Sequence, residues 1–395
     1  MSTPTHTPRQ AGFDPAGLER LTAAIETDIK NGVYDGAVIK VARDGELAVD
    51  AAFGYTDRAA GRAAHPDDVF KVLSLTKAFV NVLALRAIDH GRLALTTRVV
   101  DVVPEFWGSD RFRSSRKGRV NVAHLLTHRA GLPPTPQPVS YDQLHDFSRT
   151  LAAICELDVV NEPGTTLNYS PTVNHALLAE MARRAFGGDR SLRELLRTEL
   201  FEPLGMTSSS LGEIPGLSDR VVPLLCDLPE DGWLTNEDFQ RVSEAISAEG
   251  SEMPWVGGLT TAGDVFRFAE MLRRGGELDG LRYLSPAVID KATALQTGEA
   301  PNDLYRLLAQ ARGWDVPPGN FGLGFALSGD GLEVSQLGTL TSPRTFGNFG
   351  AGSTLFWVDP ARDITFVCLT AKAMEESENI LRFQRLSDFV VSAAL

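Results

Sequence analysis

The sequence predicts an α+β fold: an antiparallel sheet flanked by N- and C-terminal helices, with a mainly helical region inserted between its two groups of strands. Three observations carry this. A helix followed by a hairpin signal opens the chain, helix and loop patterns occupy residues 93–311, and strand-like runs leading into an amphipathic helix close it. With 395 residues, 43% hydrophobic and 23% charged, the chain has ordinary globular composition and enough length for two domains or one large one.

Each element has its own signal. Residues 1–12 read as a disordered tail, after which Asp14 and Pro15 open a helix whose Leu18, Leu21, Ile25 and Ile29 keep helical spacing as far as Asn31 and Gly32. Ala37 to Val41 is rich in β-formers, Asp44 and Gly45 supply a turn, and Leu47 to Phe53 returns. A strongly apolar helical stretch containing Ser74 follows and stops near His90 and Gly91. Further helices are expected at 120–128, 142–156, 173–187, 191–200, 262–275 and 286–296, with Thr261 and Asp264 as a capping box for the fifth. Strands are expected at 321–327, 332–337, 345–350, 353–358 and 363–370, then a helix from Glu375 to Leu395. The expected organisation is a sheet domain of residues 13–72 with 320–395, a helical domain of residues 73–319, and a site where they meet.

The stretch from Val69 to Asn81, VFKVLSLTKAFVN, concentrates the chemistry. Ser74 and Lys77 lie three apart, so on a helix they share a face and the amine reaches the hydroxyl. A serine becomes a useful nucleophile when a neighbouring base takes its proton, and a desolvated lysine is one such base. The same spacing also suits a serine that caps a helix beside a lysine extending to solvent. A second copy, Ser114 and Lys117, sits in the charged segment RFRSSRKGR and reads as a loop with a hydrated lysine.

Other function classes lack support. A formal net charge of -13 disfavours nucleic acid and anionic membrane as partners. No run has the length and apolarity of a signal peptide core or a membrane span, and three cysteines, Cys155, Cys226 and Cys368, are odd in number and far apart. The expectation is a cytoplasmic protein with a small-molecule substrate. His124 and His128 share a helical face, but Leu125 stands where a zincin needs glutamate, so no metal is expected and His128 reads as structural. Without GxGxxG or Walker spacing, no nucleotide cofactor is expected either. Trp255, Trp314, Phe321, Phe346 and Phe349 suit either an apolar pocket or the core.

The element order and five motifs, SLTK at 74–77, LLTHRAGLP at 125–133, NYSPTVNHALL at 168–178, PWVGGLTTAGDVFRFAEML at 254–272 and FGNFGAGSTLFWVDP at 346–360, resemble the class C β-lactamase-like serine hydrolases. In motif style the chain is most similar to the family VIII carboxylesterases, over nearly its whole length after residue 12. The resemblance implies a β-lactamase/transpeptidase-like fold and acyl transfer through Ser74, with Lys77 assisting and Tyr169 as a third, coupled member whose phenolate an adjacent lysine ammonium would favour. It further implies an oxyanion hole from the N–H groups of Ser74 and Ala351, with Asn348, Phe349 and Gly350 lining the substrate cleft and Gly350 admitting substrate close to the backbone. Two positions depart from the family pattern. Pro171 stands where β-lactamases have asparagine, and Asn348 stands where lysine or histidine would pair with a substrate carboxylate. Asn174 takes the place of an aspartate found in esterase members, as a substrate-side group or a structural anchor. The expected activity is therefore cleavage of a carboxylic ester, or an amide, with weak or absent β-lactamase activity. Alternatives are an acyltransferase using the same residues and a lapsed member that only binds a ligand.

Overall fold

The computed structural model describes residues 7–110, 115–135, 137–230, 234–298, 300–351 and 353–395. Helix α1 (Pro15–Lys30) starts as its sequence dictates, with the Asp14 carboxylate accepting from the Gly17 N–H and proline in the first turn. The hairpin follows as β1 (Gly36–Arg43) and β2 (Glu46–Asp57), then the short β3 (Arg62–Ala63). The turn between β1 and β2 holds Asp44 and Gly45 at positive φ, the geometry that such a two-residue connection needs.

β1 then pairs with the last strand of the chain. Among the described residues an antiparallel sheet runs in the order β3, β2, β1, Ile364–Ala371, Thr354–Asp359, Phe346–Gly350 and Ala326–Leu327. Its central strands are buried on both faces, and their alternate residues feed two cores. Leu355, Trp357, Phe366 and Cys368 pack with Leu21 and Ile25 of α1 and with Phe383 and Leu386 of the terminal helix Glu376–Ser392. Phe356, Val358, Val367 and Leu369 pack instead with Val265 and Phe268 of the helix Ala262–Arg273 and with the interior of the helical region. Around Phe79 the rings of Phe201 and Phe268 stand edge-on, at 5.3 and 5.1 Å between centroids.

Several expectations need correction. Residues 8–12 form a turn rather than a disordered segment, with the Phe13 N–H bonded to Pro8 and Ala11 buried; residues 1–6 lie outside the described residues. The run 332–337 is not a strand, and only Ala326–Leu327 of the 321–327 run pairs in the sheet. Thr261 does cap its helix by accepting from the Asp264 N–H, but the Asp264 carboxylate turns to the Ser208 N–H and the Ser209 hydroxyl, so the box is half made. The complete box belongs to Thr235 and Asp238, opening the helix Asn236–Ser247. Lys117 is buried, donating to the Cys155 carbonyl at 2.6 Å beneath Phe106, so burial rather than hydration governs it; Ser114 lies outside the described residues. Among the described residues no helix is long and apolar enough to cross a membrane.

The strand Phe346–Gly350, next to the short edge strand Ala326–Leu327, meets the Ser74 turn at a tight contact. A Cβ on Gly350 would lie 2.2 Å from the Val72 carbonyl oxygen and 2.4 Å from Thr354 Oγ1, so only glycine admits this approach. Gly350→Ala is expected to destabilise the fold by about 1–3 kcal/mol through overpacking, read as a lower urea midpoint at unchanged m-value.

Candidate active site

Ser74 lies in a 3-10 turn, Leu73–Leu75, that leads directly into α2 (Thr76–Asp89). It caps neither element with its side chain. The turn is held from three directions. The Val72 N–H donates to the Gly258 carbonyl at 3.0 Å, the Val72 carbonyl accepts from Thr354 Oγ1 at 3.0 Å, and the Gly258 N–H donates to Thr76 Oγ1 at 2.8 Å. Leu73, immediately before the serine, has φ of 46°, a left-handed conformation unfavourable for a side chain with a Cβ. Packing on both flanks keeps it there and turns Ser74 toward the cavity.

One turn along α2, Lys77 Nζ lies 2.9 Å from Ser74 Oγ and donates to the Trp255 carbonyl at 2.8 Å. Lys77 is 2% exposed, and with no carboxylate bonded to its amine, burial drives its pKa well below the ordinary lysine value. Tyr169 completes the group. Its phenol interacts with the Ser74 side chain, while the Lys77 amine lies over its ring, 5.3 Å from the centroid. Burial pushes the phenol upward, and the Ser74 bond only partly opposes this. Burial works against the expected phenolate, because it disfavours the neighbouring amine as a cation as well as the phenol as an anion.

Ser74 and Tyr169 open onto a cavity of about 430 Å³. Leu234, Phe239, Val242, Met253, Trp255 and Val256 form an apolar wall, and Phe349 and Ala351 come from the sheet edge. Asp238, Glu375 and Glu376 are its charged members; no lysine or arginine is among the described lining residues. Ala351 follows Gly350, whose Cα abuts the Val72 carbonyl, so this contact sets Ala351 beside the Ser74 turn.

The remaining expected site residues lie elsewhere. Asn348 bonds the chain rather than the cleft: its Oδ1 accepts from the Phe349 N–H at 2.9 Å and its amide reaches the Gly324 carbonyl at 3.4 Å. A Cβ on Gly350 would run into the Val72 carbonyl, and Gly350 is not among the described lining residues of the cavity. Asn174 is 2% exposed, with its amide 3.3 Å from His128 Nδ1, behind Tyr169 and off the cavity lining. His124 and His128 do not share a helical face, because the helix Val122–Leu126 ends before His128. Trp314 and Phe321 line a neighbouring slot of about 70 Å³, while Phe346 is core. Among the described residues no group of three or more His, Cys, Asp or Glu is placed to hold a metal.

Sequence reasoning missed Tyr305, which lines both cavity and slot, and the wall supplied by Asn236–Ser247. The second had a readable signal: Thr235 and Asp238 at capping-box spacing ahead of Phe239, Val242 and Ile246. Tyr305 had none, since only tertiary folding brings its helix, Asp303–Arg312, to the site.

Comparison with known proteins agrees with this architecture. The Beta-lactamase family model matches residues 21–388. The chain is 26% identical over 365 residues to the Esterase/beta-lactamase LipL of Mycobacterium tuberculosis (strain ATCC 25618 / H37Rv), covering 84% of this chain and 76% of LipL. A penicillin-binding protein homologue from Caulobacter crescentus superposes with a TM-score of 0.76 at 27% identity, covering 97% of this chain and 99% of that one. A family VIII carboxylesterase structure has the same fold, with a TM-score of 0.76 at 21% identity, covering 96% and 99%. With the family model spanning both the terminal sheet and the helical region that carries Ser74, Lys77 and Tyr169, the chain belongs to the Beta-lactamase family.

Proposed function

We propose that this protein is a serine hydrolase that cleaves carboxylic esters, or amides, through an acyl-enzyme on Ser74. The observation that carries the reading is the buried Lys77 amine 2.9 Å from Ser74 Oγ at the floor of a largely apolar cavity. A lysine that burial holds toward neutrality is a base within reach of the hydroxyl proton.

In the proposed reaction Ser74 Oγ attacks the ester carbonyl carbon as its proton passes to the Lys77 amine. The carbonyl oxygen takes the negative charge and is stabilised by the N–H groups of Ser74 and Ala351. Collapse of the tetrahedral intermediate breaks the bond to the alcohol oxygen, which takes up a proton from Tyr169 as Lys77 restores the phenol. A protonated Tyr169 suits that donor role, and its burial favours the phenol. Water then repeats the sequence on the acyl-enzyme. The lining supports neutral esters over carboxylate-bearing β-lactams, because its described charged residues are all acidic. The apolar wall along Asn236–Ser247 also suits an alcohol acceptor in place of water, so acyl transfer would draw on the same residues.

Intact-protein mass spectrometry after a fluorophosphonate probe is expected to show one adduct on the wild type and none on Ser74→Ala; an adduct that persists in the variant would sink the assignment. Tyr169→Phe is expected to lower kcat for p-nitrophenyl acetate by about 10²–10⁴-fold, the range of a lost general acid–base group. A chromogenic cephalosporin hydrolysed as fast as that ester would contradict the preference for neutral substrates. Lys77 also leaves a thermodynamic mark. Between its depressed folded pKa and the ordinary value of 10.5, the unfolded chain binds a proton that the folded chain does not, so this group's contribution to stability rises with pH through that window. Melting temperatures of wild type and Lys77→Met, taken from pH 7 upward, are expected to show the variant relatively more stable at pH 7 and the gap narrowing toward the upper limit.

A further inference from the structure

One residue bonds the chain on both sides of Tyr169. The His128 carbonyl accepts from the Asn168 N–H at 3.0 Å, and His128 Nδ1 accepts from the Ser170 N–H, also at 3.0 Å. Between these two anchors the imidazole lies against the tyrosine ring, with centroids 4.6 Å apart and planes inclined by 32°. The Asn174 amide, 3.3 Å from the same Nδ1, ties the arrangement to the helix Val173–Ala185. By comparison, the Tyr169 N–H makes a longer bond of 3.4 Å to Asn302 Oδ1.

These contacts require a conformation that histidine seldom adopts. His128 has φ of 54°, left-handed, at a cost of roughly 1–2 kcal/mol for a residue with a Cβ. The chain has just left the helix Val122–Leu126, and this turn lets the carbonyl and the imidazole of a single residue both meet the 168–170 loop. Strain of this kind persists where the surroundings over-determine it. A second amide donor beside the Ser170 N–H requires an unprotonated Nδ1. Burial, with the nearby Lys77 amine adding to it, pushes the imidazole down to about 3, so the acceptor persists at ordinary pH. His128 is 3% exposed and absent from the cavity lining, so it acts on chemistry only through what it holds.

We propose that His128 is a positioning residue for Tyr169: it clamps the loop on both sides of the tyrosine and supports its ring, so that the phenol stays aimed at Ser74 Oγ. This rests on the acyl-enzyme reading above. Loss of the clamp leaves the binding cavity intact and loosens only the proton-transfer geometry, which makes it a defect in kcat rather than in KM.

The test separates acceptor from ring. His128→Phe keeps an aromatic ring and removes the acceptor, whereas His128→Asn keeps an acceptor at the Nδ1 position and removes the ring. Steady-state hydrolysis of p-nitrophenyl acetate, thermal melts and fluorophosphonate labelling are measured on both variants and the wild type. His128→Phe is expected to lose about 10–100-fold in kcat with KM held within about twofold, and His128→Asn to recover to within about fivefold of wild type. Retention of kcat by His128→Phe, a loss confined to KM, or an Asn variant no better than Phe would each overturn the assignment. Should His128→Phe not fold, the Asn variant decides: kcat within about fivefold of wild type supports the clamp, and a larger loss at wild-type melting temperature overturns it. A wild type that is not labelled on Ser74 removes the acyl-enzyme reading and this proposal together. A labelled wild type with indifferent variants removes the His128 role alone.

Discussion

The Val72 backbone is the junction on which the site depends. Its N–H is bonded to Gly258, its carbonyl takes both the Leu75 N–H and the Thr354 hydroxyl, and Gly350 passes close enough to exclude a Cβ. Two segments distant in sequence, together with the Ser74 turn itself, are therefore registered against one residue. A left-handed Leu73 follows within that frame, and Ser74 faces the cavity as a result. Because packed interiors resist small displacements, the junction sets Ser74 and the neighbouring Ala351 together rather than independently.

Desolvation does the electrostatic work at the lysine amine, which bonds the Ser74 hydroxyl and the Trp255 carbonyl. Burial drives Lys77 down and Tyr169 up, so both tend toward their neutral forms around the Ser74 hydroxyl. A neutral amine, a neutral phenol and a hydroxyl form a group in which protons are exchanged with little change in net charge. An ammonium facing a phenolate would be a different device, and the burial of both groups works against it.

Local patterns were legible where residues act close in sequence. The Asp14 cap, the Asp44–Gly45 turn and the three-residue offset of Ser74 and Lys77 each have one short-range physical cause, and each stands in the structure. Errors arose where tertiary partners decide. Lys117 reads as hydrated in a basic run, yet the Cys155 carbonyl and Phe106 accommodate it inside. Asp264 leaves its capping box for Ser208 and Ser209, partners far off in sequence. Gly350 reads in the sequence as room for substrate, and the contact that a Cβ there would meet is with Val72, a partner far off in sequence. Residues 332–337 have the composition of a strand and no adjacent strand to bond.

The sheet topology also fixes when the site can exist during synthesis. β1, made early, pairs with β2 on one side and waits on the other for Ile364–Ala371, in the register Ile39 to Cys368. The strand that brings up Phe349 and Ala351 likewise follows the whole helical region in the chain. A nascent chain thus carries Ser74, Lys77 and Tyr169 long before the sheet edge that completes their surroundings. Such long-range pairing is slow to form, and it means that Ser74, Lys77 and Tyr169 are translated well before the strands that complete their surroundings.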